Sequence, residues 1–341
     1  MSQQAPPTPP PAILLSARNS VILHQSLYAV ARLGVADCVE SGSRSAADLA
    51  GQLNVNEDAL YRIMRLLASQ GIFEECGDRS FRNTEISNYL RSDVPGSLRA
   101  LLTFWGSDYS YASLGQIVRT VETGKPAPIL LSGNDSFEQL RRDPHPARLF
   151  DDAMTTMSRL VAPAVAAAYD FGPWESLMDV GGGNGLLLSE ILRAYPHLHG
   201  VLADQPHVLE RAREHKFLAG DLEARASMQP CNFFESVPAG CRAYLMKSII
   251  HDWDDEQSRL ILSNCRKAVP SNGVLLLVEV SLGAPNTPAF GKFIDIAMLS
   301  LTGGRERTEA EFATLLSSAG FRLNRVIPAN PQFCIIEALP V

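Results

Sequence analysis

The stretch Met178–Gly185, which reads Met-Asp-Val-Gly-Gly-Gly-Asn-Gly, constrains the fold of this 341-residue chain more than any other. A short apolar run, 176–180, ends in the glycines, and a helical pattern follows directly from Leu186 to Tyr195. Glycine lets the backbone turn sharply and approach a ligand closely. Free N–H groups at a helix start favour a nearby anion. Strand, glycine turn and helix together predict a nucleotide-binding βα unit.

Strands and helices alternate from this point to the end of the chain, which predicts an α/β domain over residues 171–341. Several strands are continuous apolar runs, as is typical of strands that are buried on both faces of a parallel sheet. We therefore expect a Rossmann-like, doubly wound, mostly parallel sheet of seven strands. The predicted strands are 176–180, 199–204, 227–232, 243–249, 273–280, 321–327 and 333–339. The pairs Asp254/Gln257 and Thr308/Glu311 predict helix N-termini.

Polar residues follow the predicted strands at the edge of the sheet where such folds bind ligands. Asp204 ends the second strand, about 20 residues after the glycines, where an acid can bind a ribose hydroxyl pair. Asn232 ends the third strand, Lys247 and His251 lie at and after the end of the fourth, and Glu279 ends the fifth. Gly220-Asp221 imitates such a strand end but precedes a polar helical stretch, so it is not predicted as part of the site.

Residues 12–170 predict a separate, mainly helical domain, with a boundary at Phe171-Gly172-Pro173. Ser45 and Asp48 predict a capped helix to Leu53, and Asn56 predicts a cap for the helix 57–69. Two short strands then flank the turn Cys76-Gly77-Asp78, and helix, helix and hairpin form a winged-helix pattern. The later helices are predicted at 98–121, after a capping pair Ser136/Gln139, and at 150–168.

A winged helix suggests two classes of function, a DNA-binding regulator or a protein–protein dimerisation module. Residues 1–90 hold seven arginines and no lysine against nine acids, a net charge of −2, and the whole chain carries −7. DNA binding depends mainly on neutralising phosphates with basic side chains. The charge therefore favours dimerisation, and we expect no nucleic-acid partner.

Composition indicates a cytoplasmic protein. Residues 1–11 are polar and proline-rich, without the basic start and apolar centre of a signal peptide, and predict a disordered arm. No apolar run approaches the roughly 20 residues that span a membrane, so no membrane partner is expected. The six cysteines are scattered without a CxxC pair, as is typical of reduced thiols.

The glycine run G-G-G-N-G differs from the dinucleotide fingerprint G-x-G-x-x-G, because the third glycine would fall at Leu186. A cofactor with a diphosphate is therefore less favoured, although an NAD-dependent oxidoreductase stays an alternative. A ligand with adenine, ribose and a single carboxylate suits the turn, and S-adenosylmethionine is such a ligand.

Five motifs in order resemble one family, the caffeic-acid-type O-methyltransferases of plants and their bacterial relatives. The resemblance covers roughly residues 13–341. It implies a class I methyltransferase domain with an N-terminal winged-helix dimerisation domain, hence a homodimer. The motifs are Asp179–Gly185, Asp204-Gln-Pro-His-Val208, Leu245-Met-Lys-Ser-Ile-Ile-His-Asp-Trp253, Val278-Glu-Val280 and Gly304-Arg-Glu-Arg-Thr308.

The resemblance also implies roles for individual residues. In the catalytic group, His251 would be the general base, Glu279 and Glu306 would orient it, and Asp252 is a further candidate. The implied cofactor-binding residues are Asp179, Gly181, Gly183, Asp204, Gln205, Asn232, Phe233 and Lys247. The family usually has Asp where this chain has Asn232, although the amide oxygen of Asn still accepts a hydrogen bond from the adenine amine. No metal is expected.

Methyl transfer from a sulfonium requires mainly that the acceptor be positioned in line with the C–S bond. A phenol with a pKa near 10 is neutral at pH 7, so a base that removes its proton accelerates the reaction by roughly 10²–10⁴. We therefore expect methylation of a phenolic or enolic hydroxyl on a small aromatic natural product. The alternatives are altered chemistry on the same fold, as in a hydroxylase or decarboxylase, and a non-catalytic dimeric ligand-binding regulator. The residues expected to line the substrate pocket are Phe104, Trp105, Phe150, Met154, Met157, Asp295 and Met298.

Overall fold

The computed structural model describes residues 10–341. The chain forms two compact units that meet in sequence between Tyr111 and Ala112. Residues 1–9 of the predicted N-terminal arm lie outside the described residues, whereas its last two residues, Pro10 and Pro11, belong to the first helix. Across residues 10–341, no helix is long and apolar enough to cross a membrane. The cytoplasmic location stays a prediction.

The N-terminal unit is mainly helical and has a small antiparallel sheet in the order β1-β3-β2. The caps of α3 and α4 are as predicted, since the side chains of Ser45 and Asn56 accept from the N–H groups of Asp48 and Ala59. The strand β1, which pairs with β3, was not predicted. The elements are α1 (Pro10–Leu33), α2 (Val35–Cys38), β1 (Arg44–Ser45), α3 (Ala46–Leu53), α4 (Glu57–Ser69), β2 (Phe73–Glu75), β3 (Ser80–Asn83), α5 (Glu85–Asn88) and α6 (Arg99–Trp105).

The single helix predicted over residues 98–121 is three helices in the structure: α6, α7 (Asp108–Leu114) and α8 (Ile117–Thr123). Gly106 ends α6. A Cβ atom at Gly106 would lie 2.3 Å from Cβ of Tyr28, so the chain passes α1 too closely for any larger residue. Periodicity alone did not reveal this close approach.

The second unit contains a seven-stranded sheet in the order β6-β5-β4-β7-β8-β10-β9. Every strand pair from β6 to β8 is parallel, and β10 is antiparallel to both neighbours, which confirms the mostly parallel sheet. The elements are α9 (Ala127–Ser132), α10 (Ser136–Arg142), α11 (Pro144–Ala168), β4 (Ser176–Val180), α12 (Leu186–Ala194), β5 (His199–Asp204), α13 (Pro206–His215), β6 (Ala226–Pro230), β7 (Ala243–Lys247), α14 (Asp255–Ala268), β8 (Val274–Val280), α15 (Phe290–Leu301), α16 (Glu309–Ser318), β9 (Phe321–Pro328) and β10 (Phe333–Pro340).

Both faces of this sheet are buried. Successive residues of β4 belong to different cores, since Leu177 packs with α11 and α12 whereas Met178 packs with α14 and α16. The chain moves outwards from β4 to β5 and β6 and then returns to place β7 on the other side of β4. The glycine turn follows β4, so it lies at the point where the strand order reverses. Open α/β sheets bind their ligands at such a point.

Local capping chemistry shifts several predicted boundaries. The helix predicted at Phe150 begins at Pro144, because the side chain of Asp143 caps it and proline is favoured at the first helical position. Asp135, rather than Ser136, caps α10 and accepts from the N–H of Glu138 at 2.8 Å.

Strand β7 ends at Lys247, two residues early, because Ser248 has a positive φ of 54°. Strand β6 ends at Pro230, before Asn232.

The boundary between the units also differs from the predicted one at 170/171. Helix α11 packs against α12, and its residues Val161 and Val165 share the core of β4. The ring of Phe171 lies 4.9 Å from that of Tyr169 and 5.5 Å from that of Tyr195, centroid to centroid. The Gly172-Pro173 turn therefore lies inside the second unit, which begins at Ala112.

Candidate active site

The glycine turn after β4 leaves its backbone open on one side. Gly181, Gly183 and Gly185 all have positive φ angles, of 71°, 61° and 84°. A Cβ at Gly181 would lie 2.6 Å from Cδ1 of Ile249, so this position is closed to larger residues. A Cβ at Gly183 would have no neighbour within 4 Å. The turn thus borders a space that a ligand can enter against bare backbone.

Asp204 fixes the outer side of this turn. Its Oδ2 accepts from the N–H of Gly183 at 2.9 Å, and its Oδ1 accepts from the N–H of Gln205 at 2.7 Å. Burial raises the pKa of Asp204 to about 6, although both backbone bonds act in the opposite direction. A carboxylate in this position can still accept further hydrogen bonds, because each oxygen has two lone pairs. Gln205 is the N-cap residue of α13.

Two opposite charges lie beneath the turn. Asp179 is buried in β4, and its Oδ2 has no hydrogen-bond partner among residues 10–341. Burial raises the pKa of Asp179 to about 7, while the charge of Lys247 lowers it. Burial also lowers the pKa of Lys247, against the attraction of Asp179, Glu279 and Asp252. Lys247, at the end of β7, therefore links the glycine turn electrostatically to the acids near His251.

Asn232 and Phe233 follow β6 at the same edge. Asn232 is exposed, and its side chain is used locally: Oδ1 accepts from the N–H of Phe234 at 3.2 Å, and Nδ2 donates to Glu235 at 2.8 Å. The ring of Phe233 lies beside the turn, with Cε1 3.6 Å from the position of a Cβ on Gly181. An aromatic face is therefore available next to the open space.

The four predicted catalytic residues meet around one imidazole. His251 lies on a 3-10 turn, Ile250–Asp252, directly after β7. Its Nδ1 is 2.7 Å from Oε1 of Glu306 and 3.9 Å from Oε2 of Glu279. Its Nε2 is 3.9 Å from Oδ1 of Asp252. Since a carboxylate only accepts, Nδ1 carries the proton in the bond to Glu306, which leaves Nε2 of the neutral ring as an acceptor.

The backbone fixes this arrangement from two sides. Oε1 of Glu279, at the end of β8, accepts from the N–H of Ile250 at 3.0 Å. The N–H of Arg305 donates to the carbonyl of His251 at 2.9 Å. A Cβ on Gly304 would lie 2.0 Å from that carbonyl oxygen, so only glycine allows the approach. The N–H of Glu306 donates to Asp295 at 2.9 Å.

The surrounding acids favour the protonated form of the imidazole. Burial alone would lower the pKa of His251, but Asp252, Glu279 and Glu306 outweigh it and raise the pKa to about 10. Burial raises the pKa of Glu279 to about 7 and that of Asp252 to about 6, against the charge of His251 in both cases. Oε2 of Glu279 and Oε2 of Glu306 are buried without hydrogen-bond partners among residues 10–341. These two oxygens can therefore accept a hydrogen bond from a further donor.

The same side chains offer ligand atoms of the kind that bind metals. One atom each from His251, Glu279 and Glu306 lie within 4.8 Å of one another. The 2.7 Å between Nδ1 and Oε1 is a hydrogen-bond distance. Two ligands of one ion, each about 2.1 Å from it, would lie about 3 Å apart or more. The geometry favours proton transfer over metal coordination.

The residues predicted to contact substrate are distributed over three helices. Phe150 on α11 packs edge-on against Phe137, with 6.4 Å between ring centroids, and Phe137 stacks on Trp253 at 5.2 Å. Met154 and Met157 are half-buried on the same helix. Asp295 and Met298 lie on α15, where Asp295 supports Glu306. Phe104 and Trp105 belong to α6 of the N-terminal unit, and their role stays a prediction.

Sequence reasoning missed several residues of the site. Phe137 had no motif, and only its place in a short amphipathic helix could have indicated it. Asn184 of the glycine turn donates to the hydroxyl of Thr155 on α11, a contact between residues distant in sequence. Arg307 belongs to the same motif as Glu306, but the motif by itself did not predict a role for this arginine.

Comparison with known proteins agrees with this geometry. The O-methyltransferase dimerisation domain matches residues 16–93, and the O-methyltransferase domain matches residues 113–322. Phenazine O-methyltransferase PhzM of Lysobacter antibioticus is 38% identical over 340 residues, which cover 100% of this chain and 99% of that protein. Phenazine-1-carboxylate N-methyltransferase of Pseudomonas aeruginosa is 33% identical, with 95% and 98% covered.

Solved structures show the same fold and cofactor. The crystal structure of LaPhzM has a TM-score of 0.93 at 38% identity, covering 98% of this chain and 100% of that one. The structure of NcsB1 from neocarzinostatin biosynthesis, in complex with S-adenosylmethionine and 2-hydroxy-5-methyl naphthoic acid, has a TM-score of 0.81 at 32% identity, covering 93% and 96%. The open backbone of the glycine turn and the Oδ2 atom of Asp179, which has no hydrogen-bond partner among residues 10–341, fit such a cofactor. This chain belongs to the caffeic-acid-type family of S-adenosylmethionine-dependent O-methyltransferases that carry an N-terminal dimerisation domain.

Proposed function

We propose that this chain methylates a hydroxyl group of a planar, fused-ring aromatic natural product, with His251 as the general base. The observation that carries the proposal is the buried His251–Glu306 hydrogen bond, 2.7 Å long, with Glu279 as a second acid. A hydroxyl must lose its proton to become a good nucleophile, whereas a neutral ring nitrogen or amine already has a lone pair to donate. A base oriented in this way favours an oxygen acceptor, although relatives named as N-methyltransferases also occur.

The residues around the glycine turn would bind the cofactor. S-adenosylmethionine, when bound, supplies a methyl group that is activated by the positive charge on sulfur. The turn at Gly181–Gly183 and the carboxylate of Asp204 would hold the methionine and ribose parts, and the ring of Phe233 would contact the adenine. Lys247 and Asp179 orient the polar groups beneath the turn. The resemblance to the family assigns these parts of the cofactor. The open backbone at Gly183 and the Oδ2 atom of Asp179, which has no hydrogen-bond partner among residues 10–341, support the assignment.

His251 prepares the acceptor. The O–H bond of the hydroxyl breaks, its proton passes to Nε2, and the electron pair stays on oxygen as the nucleophile. Nδ1 keeps its proton in the bond to Glu306, so the ring becomes an imidazolium that faces a carboxylate. The aromatic row of Phe150, Phe137 and Trp253 provides flat surfaces on which a fused-ring acceptor can stack.

A matched set of acceptors tests the proposal. The purified protein is incubated with S-adenosylmethionine and, separately, with a hydroxyphenazine, an aminophenazine and phenazine-1-carboxylate. We expect a product only from the hydroxyl compound, with the mass of one added CH2 and a methoxy signal by NMR. Methylation of nitrogen alone would contradict the proposal. A product that has gained oxygen or lost CO2 would support the hydroxylase or decarboxylase alternative, and binding without any product would support the regulator.

Protonation of His251 predicts how activity depends on pH. A general base acts in its deprotonated form, and the acids around His251 raise its pKa to about 10 in the free chain. The value of kcat/KM for the acceptor is therefore expected to rise as the pH increases from 7 to 9. A sulfonium cation in the adjacent site opposes a second positive charge, so His251 loses its proton more readily when the cofactor is bound.

NMR titration of labelled histidine checks this expectation, with the His251→Ala spectrum to assign the signal. The pKa should lie well above 6.5 in the free protein. It should be lower with S-adenosylmethionine, which carries the sulfonium charge, than with S-adenosylhomocysteine, which does not. A pKa near 6.5 in the free protein, or equal values with both ligands, would contradict it.

We also propose that the chain is a homodimer through its N-terminal unit, as the dimerisation-domain match suggests. Large apolar side chains on α1 are exposed, notably Leu14 at 78% and Leu15 at 72%. Replacing both leucines with glutamate should convert a dimer into a monomer, because charge cannot be buried in an apolar interface without a large desolvation cost. Light scattering after gel filtration measures the mass, and a monomeric wild type at micromolar concentration would refute the proposal.

A further inference from the structure

Arg307 is buried against the 3-10 turn Ile250–Asp252, which carries His251. Its side chain is 1% exposed. Nη1 donates to the carbonyl of Ile250 at 3.1 Å, and Nη2 donates to the carbonyl of Trp253 at 2.9 Å. These two carbonyls lie on either side of His251 in sequence. The guanidinium therefore spans the turn that carries the imidazole.

Asp255 and Ser258 orient this guanidinium. Nε and Nη2 both donate to Oδ1 of Asp255, at 3.0 and 2.8 Å, and Nη2 also donates to the hydroxyl of Ser258 at 3.2 Å. A planar fork with five donors can satisfy two carbonyls and a carboxylate at once, which a lysine ammonium on a flexible stem cannot do in the same geometry. The carboxylate of Asp255 is 63% exposed, so the ion pair itself contributes little. The bonds to the two carbonyls are the specific feature.

The two residues just before Arg307 contact the same turn. Arg305 donates its N–H to the carbonyl of His251, and Glu306 holds Nδ1 of the ring. Residues 305, 306 and 307 thus contact the backbone of His251, its ring and the residues that flank it. Movement of the turn relative to this segment would change the distance between Nδ1 and Glu306.

We propose that Arg307 is a positioning residue for the reaction: by bonding the carbonyls of Ile250 and Trp253, it keeps His251 within hydrogen-bond distance of Glu306. The inference rests on the proposed role of His251 as the base. The acids that face His251 are Asp252 on the same turn, Glu279 on β8 and Glu306 beside Arg307. Loosening the turn weakens the effect of Glu306 in particular, because its contact is the shortest.

The variants Arg307→Lys and Arg259→Lys form a matched pair. Arg259 is an exposed arginine on α14, the helix that also carries Asp255 and Ser258. In Arg307→Lys we expect kcat to fall about 10- to 100-fold, with S-adenosylhomocysteine affinity within about threefold of wild type. The pKa of His251, measured by NMR in the full-length protein, should fall by about one unit as the acid moves away. Arg259→Lys should change neither quantity.

The NMR titration separates this inference from the proposed function. If the hydroxyl acceptor is not methylated but the pKa of His251 still falls in Arg307→Lys alone, the positioning role holds while the proposed function fails. An unchanged titration and an unchanged pH–rate profile in a folded Arg307→Lys would overturn the inference. If that variant does not fold, Asp255→Ala decides, because it removes the oxygen that accepts from both Nε and Nη2 and orients the guanidinium. A smaller shift in the same direction supports the inference, and an unaltered titration overturns it.

Discussion

Replacement of His251 by alanine is expected to lower kcat for hydroxyl methylation by about 10²–10⁴, the usual contribution of a positioned general base. The acceptor hydroxyl would then have to lose its proton to water. Three acids would also remain around an empty position, and two of them, Glu279 and Glu306, already have buried oxygens without partners. Steady-state rates with saturating S-adenosylmethionine measure the effect. Calorimetry with S-adenosylhomocysteine should show affinity within about threefold of wild type, since the turn at Gly181–Gly183 is untouched.

His199→Ala is the control for this variant. His199 is exposed and begins β5, so it lies at the opposite edge of the sheet from the site. Its removal should leave kcat unchanged. A His251→Ala protein that retains activity within threefold would eliminate the general-base role.

Replacement of Asp204 by alanine is expected to weaken binding of S-adenosylhomocysteine by about 30- to 100-fold. Hydrogen bonds to a charged group contribute about 1.5–3 kcal/mol each, and one such loss corresponds to roughly this change. The carboxylate also accepts from the N–H groups of Gly183 and Gln205. Its loss therefore releases the glycine turn as well as removing an acceptor for the ribose. Titration calorimetry measures the dissociation constant directly.

Asp221→Ala is the matched control, because Gly220-Asp221 imitates the motif in sequence. In the structure Asp221 lies on a short 3-10 helix with a 69% exposed side chain and a distant pairing to Arg193, at 3.8 Å. Affinity should therefore be unchanged in this variant. Equal losses in both variants would show that Asp204 has no specific role, and no loss in Asp204→Ala would place the ribose elsewhere.

Much of the fold was predictable because its signals are local. The apolar runs of β4 and β8, the glycines between β4 and α12, and the capping residues Asp254 and Thr308 all act within a few residues of one another. The strand-end rule then located Asp204, Lys247 and Glu279 at one edge of the sheet, because parallel strands end on the same side. The resemblance to a known family added the roles of His251 and Glu306.

Other features depend on contacts that no local pattern encodes. Gly106, where α6 ends, lies too close to Tyr28 for any side chain, and Phe171 packs against Tyr195. In such cases the neighbouring element, rather than the segment's own propensity, sets where a helix ends or a unit begins.

The chemistry of the site shows the same division. Residue types and their order along the chain predicted a ligand site after β4, and the resemblance to a known family predicted a methyl donor there and a histidine base after β7. They could not show that His251 and Glu306, 55 residues apart, are separated by 2.7 Å, or that Arg307 bonds the carbonyls on both sides of that histidine. Those distances are possible because Gly304 lies directly against the backbone carbonyl of His251. A residue with a Cβ would not fit there. The pKa of His251 depends on these long-range contacts, because charge–charge interactions in a buried site depend on the separation of the groups in space and not along the chain.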